Sequence, residues 1–288
     1  MAMLGVIGGS GLYDLDGLTG RKSIQVASPF GAPSGEIVTG ELGGLPIAFL
    51  PRHDKGHRLS PSGINYRANI DALKRIGVTD VISLSACGSF REGLSPGTFV
   101  IVDQFIDRTF ARTKSFFGDG LVAHVSMAEP VCGRLGDVIE VAGQGAGIAL
   151  HRGGTYLAME GPQFSSKAES ELYRQWGCDV IGMTNMPEAK LAREAELCYA
   201  TVAMVTDYDC WHADHGAVEV SAIIAVLQRN AAAARDLVRA IAPLLAAGRP
   251  ALCPKGCDHA LDNALITAPE ARDPQLVAML DAVAGRVL

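Results

Sequence analysis

Two aspartates, Asp207 and Asp209, follow an apolar run at 198–205, a position from which carboxyl groups can do chemistry. A near-continuous apolar run of this kind belongs to a sheet covered on both faces. A second run, 178–182, stops at Met183-Thr184-Asn185 and leads into a helix that Pro187 opens and Glu188, Ala189, Leu191, Ala192 and Glu194 continue. Ligands of open α/β sheets bind at the carboxyl ends of the strands. Met183, Thr184, Asp207 and Asp209 are therefore expected at one crevice. A carboxyl buried there keeps its proton to higher pH and can act as an acid.

Other strand ends carry groups that suit an anion. Residues 3–8 read as a buried strand running into Gly8-Gly9-Ser10-Gly11, a sharp turn that exposes backbone N–H groups and a hydroxyl. The turn is not a dinucleotide fingerprint, because Asp14 stands where the third glycine would be. A strand at 45–50 delivers Arg52 and His53, and a guanidinium forks well onto two phosphate oxygens. A strand at 80–84 ends in Ser85-Ala86-Cys87-Gly88-Ser89, again small residues with hydroxyls. With Thr184, four strand ends offer phosphate-compatible groups. Their agreement outweighs any one of them.

The elements that must position these groups alternate strand and helix. Further strands are expected at 24–26, 36–42, 98–106 and 155–159, with Gly43-Gly44 turning a hairpin between 36–42 and 45–50. Helices are expected at 63–76, 167–176, 218–245 and, after a tail with Cys253, Cys257 and His259, at 274–287. The 288 residues are 48% hydrophobic and 19% charged, with no low-complexity stretch and no linker between equal halves, so one domain over 1–288 is expected, its tail and last helix at about 250–288. A net charge of -6 without a basic block argues against nucleic acid and anionic membranes as partners. The opening MAMLGVIGG has the pattern of neither a signal peptide nor a membrane span. Seven scattered cysteines fit buried thiols in a reducing cytoplasm.

Cleavage of a purine nucleoside by phosphate would use all of these parts. Phosphate must be held beneath the anomeric carbon by several donors, the departing purine must be protonated at N7, and the ribose needs positioning as it becomes oxocarbenium-like. GGSG, PRH, SACGS, EGPQFSS, GMTNMPE and TDYDCW, with MAEP and DQFIDRT, together resemble the S-methyl-5'-thioadenosine phosphorylase family of the purine nucleoside phosphorylase superfamily, from about Val6 to Leu245. The resemblance implies phosphorolysis of S-methyl-5'-thioadenosine to adenine and 5-methylthioribose 1-phosphate, in methionine and purine salvage. It implies a cytoplasmic homotrimer of a single three-layer α/β/α domain on a central mixed β-sheet, with inorganic phosphate as co-substrate, no other cofactor and no metal. It assigns phosphate binding to Ser10, Arg52, His53, Ser85, the Ala86 backbone and Thr184. Met183 would lie against the ribose and Phe164 against the purine, while Asp207 and Asp209 read N7 and the 6-amino group, Asp207 as proton donor. His124 would reach the 5' end of the substrate in the neighbouring subunit, and Val220 and Ile223 match a methylthio pocket.

The aspartate pair favours adenine independently. A carboxylate accepts from a 6-amino group but meets the lone pairs of a 6-oxo group, a mismatch that can cost about 10⁴-fold. An apolar 5' pocket discriminates by only ~1 to 3 kcal/mol, which keeps adenosine open as a substrate beside methylthioinosine. Hydrolysis of the same nucleoside and non-catalytic purine binding are further readings. A different class, a metal-dependent hydrolase, would use Asp207, Asp209, His212, Asp214 and His215 as ligands. In the tail, Cys253 and Cys257 read as free thiols in preference to a disulfide or, with His259, a three-ligand metal site, because a structural zinc wants four ligands.

Overall fold

The computed structural model of the chain describes residues 2–9, 15–212 and 220–288. Four strands come first: β1 (Leu4–Gly8), β2 (Leu18–Ile24), β3 (Ile37–Leu42) and β4 (Leu45–Pro51). Gly43 and Gly44 close the β3–β4 hairpin with φ of 57° and 82°, a left-handed pair that glycine adopts without strain. Helix α1 (Tyr66–Arg75), capped by Asn65, leads to β5 (Asp80–Ser89), and β6 (Phe99–Val102) and β7 (Gln104–Asp107) follow. Next come α2 (Gly133–Gly145), β8 (Leu150–Arg152), β9 (Thr155–Ala158), α3 (Lys167–Gln175), β10 (Val180–Gly182) and α4 (Asn185–Glu194). The chain continues with β11 (Cys198–Asp207), α5 (Val220–Ala246), α6 (Pro274–Met279) and α7 (Asp281–Ala284).

The strands join in one mixed sheet of order β2-β3-β4-β1-β5-β10-β9-β7, from which β11, β6 and β8 branch at β5. The long apolar strands alternate between two cores. Ile7, Tyr199, Ala203 and Val205 pack on the α1 and α4 side with Leu73, Ala189 and Leu191. Leu4, Val6, Ala200, Val202 and Met204 pack on the α2 and α5 side with Leu135, Ile139, Leu237 and Ile241. This two-sided burial explains why the runs look continuously apolar, and it gives the three α/β/α layers.

Several expected boundaries moved. The strand expected at 98–106 is two strands, because the Asp103 carboxylate accepts the Gly154 N–H at 3.0 Å and turns the chain. Thus β6 pairs with β11 and β8, whereas β7 pairs with β9. The strand expected at 24–26 lies earlier, as β2, and the helix expected at 274–287 is divided into α6 and α7. Helix α2 had no clear sequence signature, its 13 residues including four glycines. Among the described residues, no helix is long and apolar enough to cross a membrane.

One glycine sets how closely β10 can lie beside β9. A Cβ on Gly182 would stand 1.9 Å from the hydroxyl oxygen of Tyr156, a side chain with no exposed surface. Gly182→Ala is accordingly expected to destabilise the protein by about 1–3 kcal/mol through overpacking, read as a lower urea midpoint with unchanged slope.

Candidate active site at the branch in the sheet

β5 changes partner along one edge. It runs parallel to β1 as far as the pair Ile7–Ser83, then antiparallel to β10 from the pair Ile181–Gly88. Its other edge is occupied throughout by β11. Residues 84–87 consequently face an opening between β1 and β10, the kind of topological switch point at which α/β sheets bind ligands. Ala86 is the one exposed residue of an otherwise buried β5.

The walls of this opening bring together several expected groups. Thr184 is the buried residue preceding α4, with φ -120° and ψ -14°, and its hydroxyl makes no capping bond to the helix. α4 is irregular at its start, since Met186 is extended (φ -120°, ψ 131°) and Pro187 has no N–H, so the group offered to an anion here is the Thr184 hydroxyl. Ser85 is buried and its hydroxyl donates to Asn185 Oδ1 across 2.9 Å, so it must rotate to offer its proton to an anion. Gly9 is exposed, with open space where a Cβ would stand. Ser10 lies outside the described residues.

Arg52 and His53 are arranged differently from the expected cationic cradle. Arg52 is 2% exposed and forks onto Glu188, Nε to Oε2 at 2.8 Å and Nη2 to Oε1 at 3.1 Å. It also donates to the Leu84 carbonyl at 3.0 Å and to Ser83 Oγ at 2.6 Å. The fork is thus closed on protein, and a buried guanidinium takes a buried carboxylate because neither charge tolerates isolation. His53 donates from Nδ1 to the Leu59 carbonyl at 2.8 Å and stacks on His57. Burial pushes its imidazole down to about 4, so the ring is neutral at pH 7.

At the other end of the opening, β11 carries a bulge between Val205 and Asp207. Bulges re-aim side chains next to active sites. Asp207 accepts from Thr206 Oγ1 at 2.7 Å and from the Asp209 N–H at 2.8 Å. Asp209 is buried in a left-handed conformation, φ 51°. Burial raises the pKa of both carboxyls. Gly88 lies beneath them: a Cβ there would be 3.0 Å from Asp207 Oδ1 and 3.3 Å from Asp209 Cβ. Trp211 ties the turn to the end of β5 by donating from Nε1 to the Ser89 carbonyl at 2.7 Å, and Arg174 stacks on its ring at 3.7 Å.

Met183 is half-buried between Thr184 and the loop at Gly161, whose Cβ would meet its sulfur at 2.5 Å. Phe164, on the same loop, is 48% exposed. His124 is exposed on a strip whose backbone joins the C-terminal tail, its N–H donating to the Ala264 carbonyl at 2.9 Å. The side chains of Val220 and Ile223 lie outside the described residues.

Three contributors escaped the sequence reading. Arg112 donates to the carbonyls of Met183, Met186 and Glu160, fixing the strand end that presents Thr184. Glu188 holds Arg52, and Asn185 reaches Ser83, Tyr199 and Thr201, each at 2.9 Å. Glu188 and Asn185 stood in the recognised GMTNMPE stretch without a role, and a single arginine in a loop leaves no periodic trace.

Of the alternative metal cluster, Asp207, Asp209 and His212 lie among the described residues. His212 Nε2 is 3.0 Å from Glu92 Oε1, and Asp214 and His215 lie outside the described residues. Among the described residues, no group able to hold a metal includes Asp207, Asp209 or His212.

Comparisons with known proteins agree with this geometry. The profile described as the phosphorylase superfamily matches residues 3–243. An S-methyl-5'-thioadenosine phosphorylase of Cereibacter sphaeroides is 65% identical over 99% of this chain and 98% of its own, and one of Geobacter sulfurreducens is 54% identical over 98% of each. The crystal structure of a methylthioadenosine phosphorylase from an antarctic soil metagenomic library superposes with a TM-score of 0.93 at 48% identity, covering 98% of each chain. That of Schistosoma mansoni methylthioadenosine phosphorylase in complex with adenine gives 0.87 at 34% identity, covering 92% of this chain and 99% of its own. The chain belongs to the phosphorylase superfamily, in the family of the S-methyl-5'-thioadenosine phosphorylases.

Proposed function

We propose that the chain catalyses phosphorolysis of S-methyl-5'-thioadenosine to adenine and 5-methylthioribose 1-phosphate. The observation that carries this reading is the pairing of two buried carboxyls of raised pKa, Asp207 and Asp209, with the buried Thr184 hydroxyl, unused by the helix, across the same sheet opening. Phosphate sits beside Thr184, held by its hydroxyl with Ser85, backbone amides near Ala86, and Ser10, which follows β1 in sequence. A phosphate oxygen bonds to the anomeric carbon as the bond to N9 breaks and its electron pair passes into the purine. Asp207 supplies the proton to N7, and Asp209 accepts from the 6-amino group. Met183 backs the ribose, and Phe164 covers the base.

Arg52 acts here through Glu188 of α4, setting the position of the segment that begins at Thr184. His53, neutral before binding, takes up a proton when it donates to phosphate, so phosphate binding is coupled to proton uptake. The working unit is the whole chain as one domain in a cytoplasmic homotrimer serving methionine and purine salvage. The exposed His124 then reaches the 5' group in a neighbouring subunit. Adenosine is a second substrate in this reading, since solved neighbours from Schistosoma mansoni carry the name adenosine/methylthioadenosine phosphorylase.

Release of free base from 5'-methylthioadenosine and 5'-methylthioinosine, each with and without phosphate, tests the reaction directly. Phosphate-dependent adenine release is expected. Release without phosphate would make the enzyme a hydrolase, and a preference for methylthioinosine would overturn the aspartate assignment.

Two variants probe the residues. Asp207 is the active acid only while protonated, so kcat/KM on methylthioadenosine should fall as pH rises through its elevated pKa. Asp207→Asn should lower activity by about 10²–10⁴-fold and abolish that limb, with an unchanged circular dichroism spectrum. Arg52→Ala leaves Glu188 buried without its cation, and should cost about 3–5 kcal/mol of stability in urea unfolding besides raising the KM for phosphate. A variant as stable as the parent would remove Arg52 from its positioning role.

A further inference from the structure

Far from the opening, on the α2 and α5 side of the sheet, four cysteines that are distant in sequence converge. Cys132 precedes the first turn of α2, Cys198 begins β11, and Cys253 and Cys257 belong to the tail after α5. All four are buried, with between 0% and 6% of their surface exposed, and their sulfurs all lie within 4.8 Å of one another. The sequence reading found only the tail pair and set His259 beside it. In the structure His259 pairs with Asp262 at 3.4 Å, and Cys132 and Cys198 supply the third and fourth sulfurs.

We propose that Cys132, Cys198, Cys253 and Cys257 bind one Zn²⁺ ion in a closed tetrahedral four-thiolate site that fastens the C-terminal tail to the sheet. Zinc–thiolate bonds of about 2.3 Å place tetrahedral sulfurs about 3.8 Å apart. The Cys132 and Cys253 sulfurs are 3.7 Å apart, too far for a disulfide and right for sharing an ion. The tail supplies its pair as C-x3-C around Gly256, at φ 66°, whose N–H closes a turn onto the Cys253 carbonyl at 2.8 Å, a spacing common in structural zinc sites.

The surroundings fit the charge. Four thiolates around a divalent ion leave two negative charges, and two guanidinium groups face the cluster. Arg249 Nη2 is 3.4 Å from Cys198 Sγ, and the Arg134 guanidinium also lies beside Cys198. Arg134 Nε is buried without a hydrogen-bond partner among the described residues. Both arginines share Asp80, which keeps them in place. The remaining shell combines Leu135, Ile139 and Val202 of the same core with Asp258, whose Oδ2 accepts the Cys253 N–H at 2.8 Å and pairs with Arg249 at 3.3 Å, and the burial of all four cysteines makes the site structural. Four soft sulfurs in tetrahedral array select zinc over the oxygen-seeking cations.

The ion would act on the part of the tail that lies beyond it. Downstream of Cys257, Ala264 and Leu265 hold the strip at Ala123 and His124. Anchoring the cysteines to β11 and α2 therefore fixes that strip indirectly.

The test is elemental analysis of the full chain, purified without metal-affinity resin and dialysed against metal-scrubbed buffer. One zinc per chain is expected, displaced by an organomercurial and seen with a zinc dye, with seven thiols titrating after denaturation in chelator. Absence of metal, iron in place of zinc, or a count of only three thiols, as two disulfides would leave, overturns the proposal. The double variant Cys253→Ser, Cys257→Ser should lose the zinc and expose the tail to limited proteolysis. Zinc retained at full stoichiometry in a folded double variant would place the ion elsewhere. Should that variant fail to fold, the metal and thiol counts on the unaltered chain still decide.

Discussion

The candidate site depends on a charge pair that water does not reach. Arg52 at the end of β4 and Glu188 in the first turn of α4 are 136 residues apart in sequence, and together they set the distance between sheet and helix. Desolvating two ions costs several kcal/mol each, a cost offset only when every lone pair and hydrogen is directed. Here most of them are: Glu188 also accepts from Tyr199, and Arg52 from its far side reaches Ser83 and the Leu84 carbonyl. Asn185 joins Ser83, Ser85, Tyr199 and Thr201 into the same network. The Thr184 end of the opening is therefore backed by a buried polar network.

The base end is built on the opposite principle. There the carboxyls are incompletely compensated, and burial favours their protonated forms. One fold thus supplies a hydrogen-bonded ion pair at one side of the opening and under-compensated acids at the other, both organised around β5. Perturbed groups gather where function needs them, while structural ions are neutralised.

What the sequence made legible follows the range of the interactions. The run at 198–205 announces its strand by composition and its chemistry by the polar stop at Asp207, both local signals. The same holds for Thr184 and the Ser85 loop. The partner of Arg52 was hidden because charge pairing across the fold leaves no mark in spacing, and the guanidinium was accordingly read as free for phosphate. His53 read as a cation for the same reason, since burial is a property of the packed chain. Cys132 and Cys198 were invisible as ligands because a single cysteine in an apolar stretch looks like any small core residue. The break at Asp103 was missed because its cause, the Gly154 amide, arrives from a later strand.

The bulge in β11 bears on how this chain can change over time. Because the register slips after Val205, the aim of Asp207 is set by the bulge and by Gly88 beneath it, and not by the alternation of the eight buried residues upstream. Apolar core residues of β11 such as Ala200, Val202 and Ala203 can exchange for others of similar volume, drifting with their neighbours in the two cores, while Asp207 stays where it is. Gly88 has no such latitude. Mutational tolerance and catalytic geometry are thus separated within a single strand, with the boundary at one irregular step of its ladder.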